Sequence, residues 1–326
     1  MGMTVMEASE ADRDVPETKR CRNTILGGSG EREGVEGIMH AVFAFCAAAA
    51  VLAVAFLAMY IITNGIPALL EVGWKEILFE TSWMPTAVSP RFGILYVVLT
   101  SLGGTVLAVA LGIPVGILTA VFLAEFSGRK AAGVVRCAVE LLAGVPSVIY
   151  GLLGVSFLNP MVYKLELRLF AGSDTHQFTG GANFLSAVLV LAVMILPTVI
   201  SVSEASIRAV RPGIREASLA LGASKMQTVF RSVLPAAKPG IMTAVILGVG
   251  RAVGEAMAIT LVSGGSVNAP FPFHSVRFLT TAIVGEMGYA QGTHRQVLFT
   301  IGMVLFGFIM LVNMVLGGVS GAGAEH

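Results

Sequence analysis

From residue 38 onward, long apolar runs alternate with short polar segments. A helix needs about 20 apolar residues to cross the hydrocarbon core of a bilayer. Six runs reach that length: 38–62, 93–122, 133–158, 184–202, 241–262 and 297–316. The pattern predicts an all-α, polytopic membrane protein with about six transmembrane helices. Gly112-Ile113-Pro114 interrupts the second run and predicts a kink there. "GVPS" (144–147) carries Pro146 and predicts a break in the third, where freed backbone groups could face a path.

Composition agrees with the pattern. Of 326 residues, 55% are hydrophobic and 13% charged, and mean hydropathy is +0.83. A soluble domain carries about 25% charged residues, enough to coat its surface, and this chain does not. The net charge of +1 averages an acidic N-terminus with basic loops and gives no indication of nucleic-acid binding. Cys21, Cys46 and Cys137 are too widely spaced for a disulfide framework or a metal cluster. Residues 1–37 are polar and mixed in charge, unlike a signal peptide, and are read as a tail. The organisation expected is that tail, a first helix with an external loop (38–92), a core of 93–318 and a short tail of 319–326.

Orientation follows from the placement of Lys and Arg. With the N-terminus inside, the inner segments hold Arg13, Lys19, Arg20, Arg22, Arg32, Arg129, Lys130, Arg136, Arg208, Arg211, Arg215, Lys225, Arg231 and Lys238. The outer ones hold Lys75, Arg91, Lys164, Arg168, Arg277 and Arg295. Both termini are therefore expected on the cytoplasmic side. Trp74 and Trp83 in "GWKEILFETSWMP" (73–85), and the aromatics of "PFPFH" (270–274), read as interfacial anchors. Docking of an external partner is the other reading.

The inner segment 203–239 is too polar to span and too patterned for a linker. Pro212 suits the first turn of a helix that "IREASLAL" continues, and Gly222 suits its end. Ser224-Lys225-Met226-Gln227 has the form of a capping box opening a second helix that runs to Pro235. Ile214, Ala217 and Leu221 share one face, with Arg211 and Arg215 beside it. Such a hairpin could lie on lipid or insert into another protein, and its pattern leaves both open.

"EASLALGASKMQTVFRSVLP" (216–235) resembles the EAA loop of bacterial ABC importer permeases. Glu216, Ala217, Gly222, Leu234 and Pro235 match its spacing, while Ser218 and Ser232 depart from it. "LLAGVPSVIYGL" (141–152), "LALGAS" (219–224) and "GRAVGEAMAITLVSGG" (250–265) extend the resemblance to the phosphate-specific permeases, the C-type subunit (PstC) more than the A-type, over residues 92–313. Ala256 stands where a Thr is common. The resemblance implies a type I, MetI-like permease fold in a bacterial cytoplasmic (inner) membrane. It implies three kinds of partner: an A-type permease, an ATP-binding cassette ATPase dimer that receives the 216–235 loop, and a periplasmic or extracellular phosphate-binding protein.

Within this frame Arg251 and Glu255 stand out. An ionised group near a bilayer centre costs about 2.5–3.5 kcal/mol on insertion scales. At spacing four on one helix the two would share a face and neutralise each other. Small residues at Ala244, Gly248, Ala252 and Ala256 would let that helix pack closely. The pair is either a structural ion pair or a transient anion site. In the second case the guanidinium fork would hold oxyanion oxygens. Glu255 would either accept a proton-bearing phosphate P–OH or pair with Arg251 whenever the path is empty.

Glu140 and Arg136, also at spacing four, read as a membrane-edge salt bridge, and Glu125 and Glu204 as solvated carboxylates. No Gly-x4-Gly-Lys-(Ser/Thr) loop occurs, so the chain binds no cofactor of its own and ATP would be used by partner subunits. "GVGRAVG" lacks the βαβ context of a dinucleotide site. Import of another oxyanion, molybdate or sulfate, is the same-class alternative. An ion-coupled secondary transporter would work without an ATPase and usually carries inverted repeats, which are not evident. A membrane enzyme would need a nucleophile–base pair or metal cluster, and none has usable spacing.

Overall fold

The computed structural model describes residues 29–172 and 176–321. Cys21, the basic residues up to Arg22 and the last five residues lie outside the described residues. Helix α1 runs Ser29–Ala68, so it begins within the stretch read as tail. Residues up to Met59 form one compact unit and those from Tyr60 a second. In the first unit α1 exposes Phe45, Val51 and Phe56. These exposed apolar side chains suit contact with lipid.

The second unit continues with α2 (Trp74–Phe79), a two-residue hairpin of β1 (Trp83–Met84) and β2 (Arg91–Phe92), and α3 (Leu95–Val121). Next come α4 (Arg129–Gly144), α5 (Ser147–Leu153), α6 (Asn159–Leu169) and α7 (Phe184–Arg208). Then follow α8 (Pro212–Ala220), α9 (Lys225–Thr228), α10 (Leu234–Gly254), α11 (Met257–Val262), α12 (Leu279–Glu286) and α13 (Gly292–Gly321). Six helical stretches among the described residues are long and apolar enough to cross a membrane.

Helix α7 is the packing centre. It buries Val188, Leu191, Met194, Ile195 and Val199 along its length. Glycines let α3 approach it closely: a Cβ on Gly112 would lie 2.6 Å from Ile195 Cδ1, and one on Gly116 2.7 Å from Val199 Cγ1. Helix α10 meets the same residue, with a Cβ on Gly248 2.9 Å from Val199 Cγ2. Without a hydrophobic force between helices in lipid, such close backbone contact supplies the packing energy. Pro114 lies inside α3, which continues through it. The N–H groups opening α7 are met from the 270–274 loop, where Phe184 N–H donates to His274 O (3.0 Å) and Leu185 N–H to Pro272 O (2.9 Å).

Three spans differ from the sequence expectation, the first because it runs on to Phe79 and does not end at residue 62. The third crosses over Ser147–Leu169, not 133–158. Val145 and Pro146 take extended ψ of 127° and 141°, splitting α4 from α5 at "GVPS" as expected. What precedes the break is an amphipathic helix, because Arg129, Lys130, Arg136 and Glu140 give α4 too much charge for a bilayer. Lys164 and Arg168, assigned to an outer loop, lie on α6 instead. The fifth span starts at Lys225, not residue 241, and ends at Gly254. A wider π-helical turn at Val229–Val233 precedes Pro235 and absorbs its missing N–H, so the helix continues.

Candidate functional site

The region around Arg251 is built on a helix break. Gly254 ends α10, Glu255 is extended (φ −72°, ψ 130°), and α11 opens at Met257. Several of the polar groups freed by the break find partners, as a span in lipid favours. Glu255 Oε1 accepts the Ala258 N–H (2.9 Å), which caps α11. Thr280 Oγ1, from α12, donates to Glu255 O (2.7 Å), and Thr260 Oγ1 to Ala256 O (2.8 Å).

The break overturns the expected pairing. Arg251 and Glu255 are not on one helix and form no ion pair among the described residues. Arg251 Nη1 instead donates to Thr198 Oγ1 on α7 (3.3 Å). The spacing argument assumed a continuous helix. Gly254 has poor helix propensity, and the Glu255 carboxylate offers the next turn a cap in exchange for a missing helical bond. Arg251 is half-buried and its remaining side-chain N–H groups have no partner among the described residues. Glu255 Oε2 is likewise unpartnered among the described residues. Thr198, Ala258 and Thr280 were not legible as site residues, since each is an ordinary residue tens of positions from Arg251 or acts through its backbone.

The segment 203–239 has the expected first half. Pro212 opens α8, Gly222 sits at φ +85°, and Ser224 and Gln227 form both bonds of a capping box. Glu216, Ala217 and Gly222 are exposed, Pro235 is exposed and Leu234 is half-buried. Its second half is corrected: α9 has no separate end and runs on into the fifth span. Leu221 at the turn is 90% exposed, and Leu219, Met226 and Phe230 are exposed around it. Arg215 ties the hairpin down. It donates to Glu125 Oε1 (3.0 and 2.8 Å), Ile207 O (2.8 Å) and Val210 O (2.6 Å).

Other carboxylates are also placed differently. Arg136 pairs with Glu204 on α7, not with Glu140, because the α4 register turns it inward. Glu204 is buried and also accepts from Arg208 Nε (2.8 Å). This partner holds the Arg136 guanidinium pKa above its ordinary value, through the hydrogen bond first and the charge second. Glu125 and Glu204 are therefore anchors and not solvated ends.

Two buried clusters near the opposite ends of the spans escaped the sequence. Glu286 receives Trp83 Nε1 (3.1 Å) and Arg277, with His294 Nε2 at 2.7 Å. Trp83 is thus half-buried in a polar cluster and is no lipid anchor, whereas Trp74 is exposed. Glu166, fully buried, faces His176 Nε2 (2.8 Å) and accepts from the Thr179 amide and hydroxyl (3.1 Å each). Separations of up to 203 residues leave no local pattern to find. Among the described residues no group of three or more His, Cys, Asp or Glu could hold a metal.

Residues 112–320 match the family described as the binding-protein-dependent transport system inner membrane component. The chain belongs to this family. It is a permease subunit of an ABC importer and a multi-pass inner-membrane protein. A probable ABC transporter permease of Bacillus subtilis, YqgH, is 35% identical over 277 residues, covering 82% of this chain and 86% of that one. The phosphate transport system permease protein PstC of Haemophilus influenzae is 30% identical over 279 residues, 80% and 87% of the two chains. In fold, the chain resembles part of a bacterial ABC transporter involved in alginate import, with a TM-score of 0.60 at 18% identity over 91% of this chain and 98% of that one.

Proposed function

We propose that this permease imports inorganic phosphate. It would form the path with a second, A-type permease and be driven by a pair of ATPase subunits and supplied by an external phosphate-binding protein. The observation that carries the reading is a partly free guanidinium, Arg251, beside the helix break that ends the fifth span, in a chain similar to phosphate permeases. Its unused N–H groups suit the oxygens of a tetrahedral anion. Glu255 Oε2 is free to accept the P–OH that phosphate keeps near neutral pH and sulfate lacks.

Energy would arrive through the 216–235 loop. The exposed Leu221, Leu219 and Met226 are supported on Gly222 and the Ser224–Gln227 box, as an apolar knob for an ATPase cleft. Glu216, Ala217, Leu234 and Pro235 complete that coupling element. The excess of Lys and Arg at this end supports a cytoplasmic side for it and for both termini.

The test is labelled-phosphate uptake by vesicles holding the assembled complex, wild type against Arg251→Ala, with ATPase co-purification checked. Uptake should collapse while ATP is still hydrolysed. Uptake that persists in the assembled variant removes Arg251 from the path.

A further inference from the structure

A cavity of about 280 Å³ lies between the end of the second span, α4 and the end of α7, lined by Ala124, Ser127, Arg129, Ala132, Arg136 and Arg208. We infer that it binds a phosphate group, carried either by an anionic lipid headgroup or by free phosphate, separately from the Arg251 region.

Three guanidinium side chains line the cavity and one carboxylate, Glu204, lies against two of them. Of the other acids nearby, Glu125 is held by Arg215, while Glu140 lies close enough to act on Arg136 and lines an adjoining cavity with Arg136, Arg208 and Glu204, so three guanidinium groups face two carboxylates. The pocket thus keeps an excess of positive charge. Arg136 and Arg208 are fixed in place, by Glu204 and, for Arg208 Nη2, by Leu123 O at 2.9 Å. Each therefore presents its remaining N–H groups with its rotamer already ordered, which lowers the entropy cost of binding. Arg129 is exposed and makes no ion pair or hydrogen bond among the described residues.

Depth also points to a phosphate. The second span ends at Phe126 and the fourth at Arg208, so the cavity opens where a bilayer's headgroups lie. Ala124 and Ala132 give it an apolar wall, and the arginines suit tetrahedral oxygens better than a single point charge would.

Arg129→Gln is the test, because that side chain has no structural partner to lose. The assembled complex is placed in nanodiscs of phosphatidylcholine with phosphatidylglycerol, and retained phosphatidylglycerol is counted by native mass spectrometry. A parallel set in phosphatidylcholine alone is titrated with inorganic phosphate by phosphorus NMR. A basic side chain at the membrane surface contributes about fivefold in affinity for an anion. About that loss in the first arm identifies a lipid headgroup, and in the second arm free phosphate. Both arms are run in an Arg251→Ala background, so that the transport path contributes nothing, and the loss on Arg129→Gln should persist there. If Arg129→Gln alters neither arm while the complex remains assembled, the site does not exist.

Discussion

Ser218 and Ser232, the two positions at which the 216–235 loop departs from the importer pattern, meet in space, their hydroxyl oxygens 3.4 Å apart. Ser218 Oγ also lies 3.0 Å from Thr228 Oγ1. The departures are one change made twice: a hydroxyl on α8 and a hydroxyl on the helix it packs against. Ser218→Ala and Ser232→Ala should each cost about 1 kcal/mol, as for an ordinary hydrogen bond, and the double variant less than their sum. Thermal melts of the assembled complex in nanodiscs give the comparison, and strict additivity would show that the contact carries nothing.

Glu255 has two separable duties, capping α11 and meeting the anion. Glu255→Gln keeps an amide oxygen for the Ala258 N–H, so melting should stay near wild type while sulfate begins to compete with phosphate uptake. Glu255→Ala should lose about 1 kcal/mol with the cap. A Gln variant that still excludes sulfate would leave Glu255 with the structural duty alone.

Thr198 steers Arg251 from the neighbouring span. Thr198→Val keeps the shape and removes the acceptor. Uptake should fall, but by less than in Arg251→Ala, with assembly unaffected. Equal uptake in Thr198→Val and wild type would show that the 3.3 Å contact does not position the guanidinium.

At Gly116 there is no room for a side chain, because Val199 already occupies the place of a Cβ. Gly116→Val should destabilise by roughly 1–3 kcal/mol or more, the range for overpacking a filled core, and lower the yield of assembled complex. Gly133 faces open space and serves as a control: Gly133→Ala should be tolerated.

The Glu286 cluster should be costly to open. Glu286→Ala strands Arg277 and His294 and frees the Trp83 indole. Removing one partner of a buried pair costs about 3–5 kcal/mol. Loss of the indole contact should show as a red shift of tryptophan emission, read in a Trp74→Phe background so that Trp83 alone reports. Unchanged emission would mean that the Trp83–Glu286 bond is not held in solution.

The sequence by itself determined the membrane class, six crossings, the Arg-rich end and the capped turn around Gly222. These are local matters: hydropathy over about 20 residues, charge in loops, and residues whose backbone preferences act within one helical turn. It also singled out Arg251 and Glu255, since a charge in an apolar run is visible without coordinates. Tertiary structure alone decided what those charges touch. Whether α10 continues past Gly254 depends on the Glu255 carboxylate capping Ala258 and on Thr280 of α12 taking the freed carbonyl, a contact made across 25 residues. The partners of Arg136, Arg215 and Glu286 likewise come from other helices, strands and loops. Spacing within a helix fixes which side chains could meet, but a buried charge is held by whichever satisfied arrangement the packed bundle brings within reach.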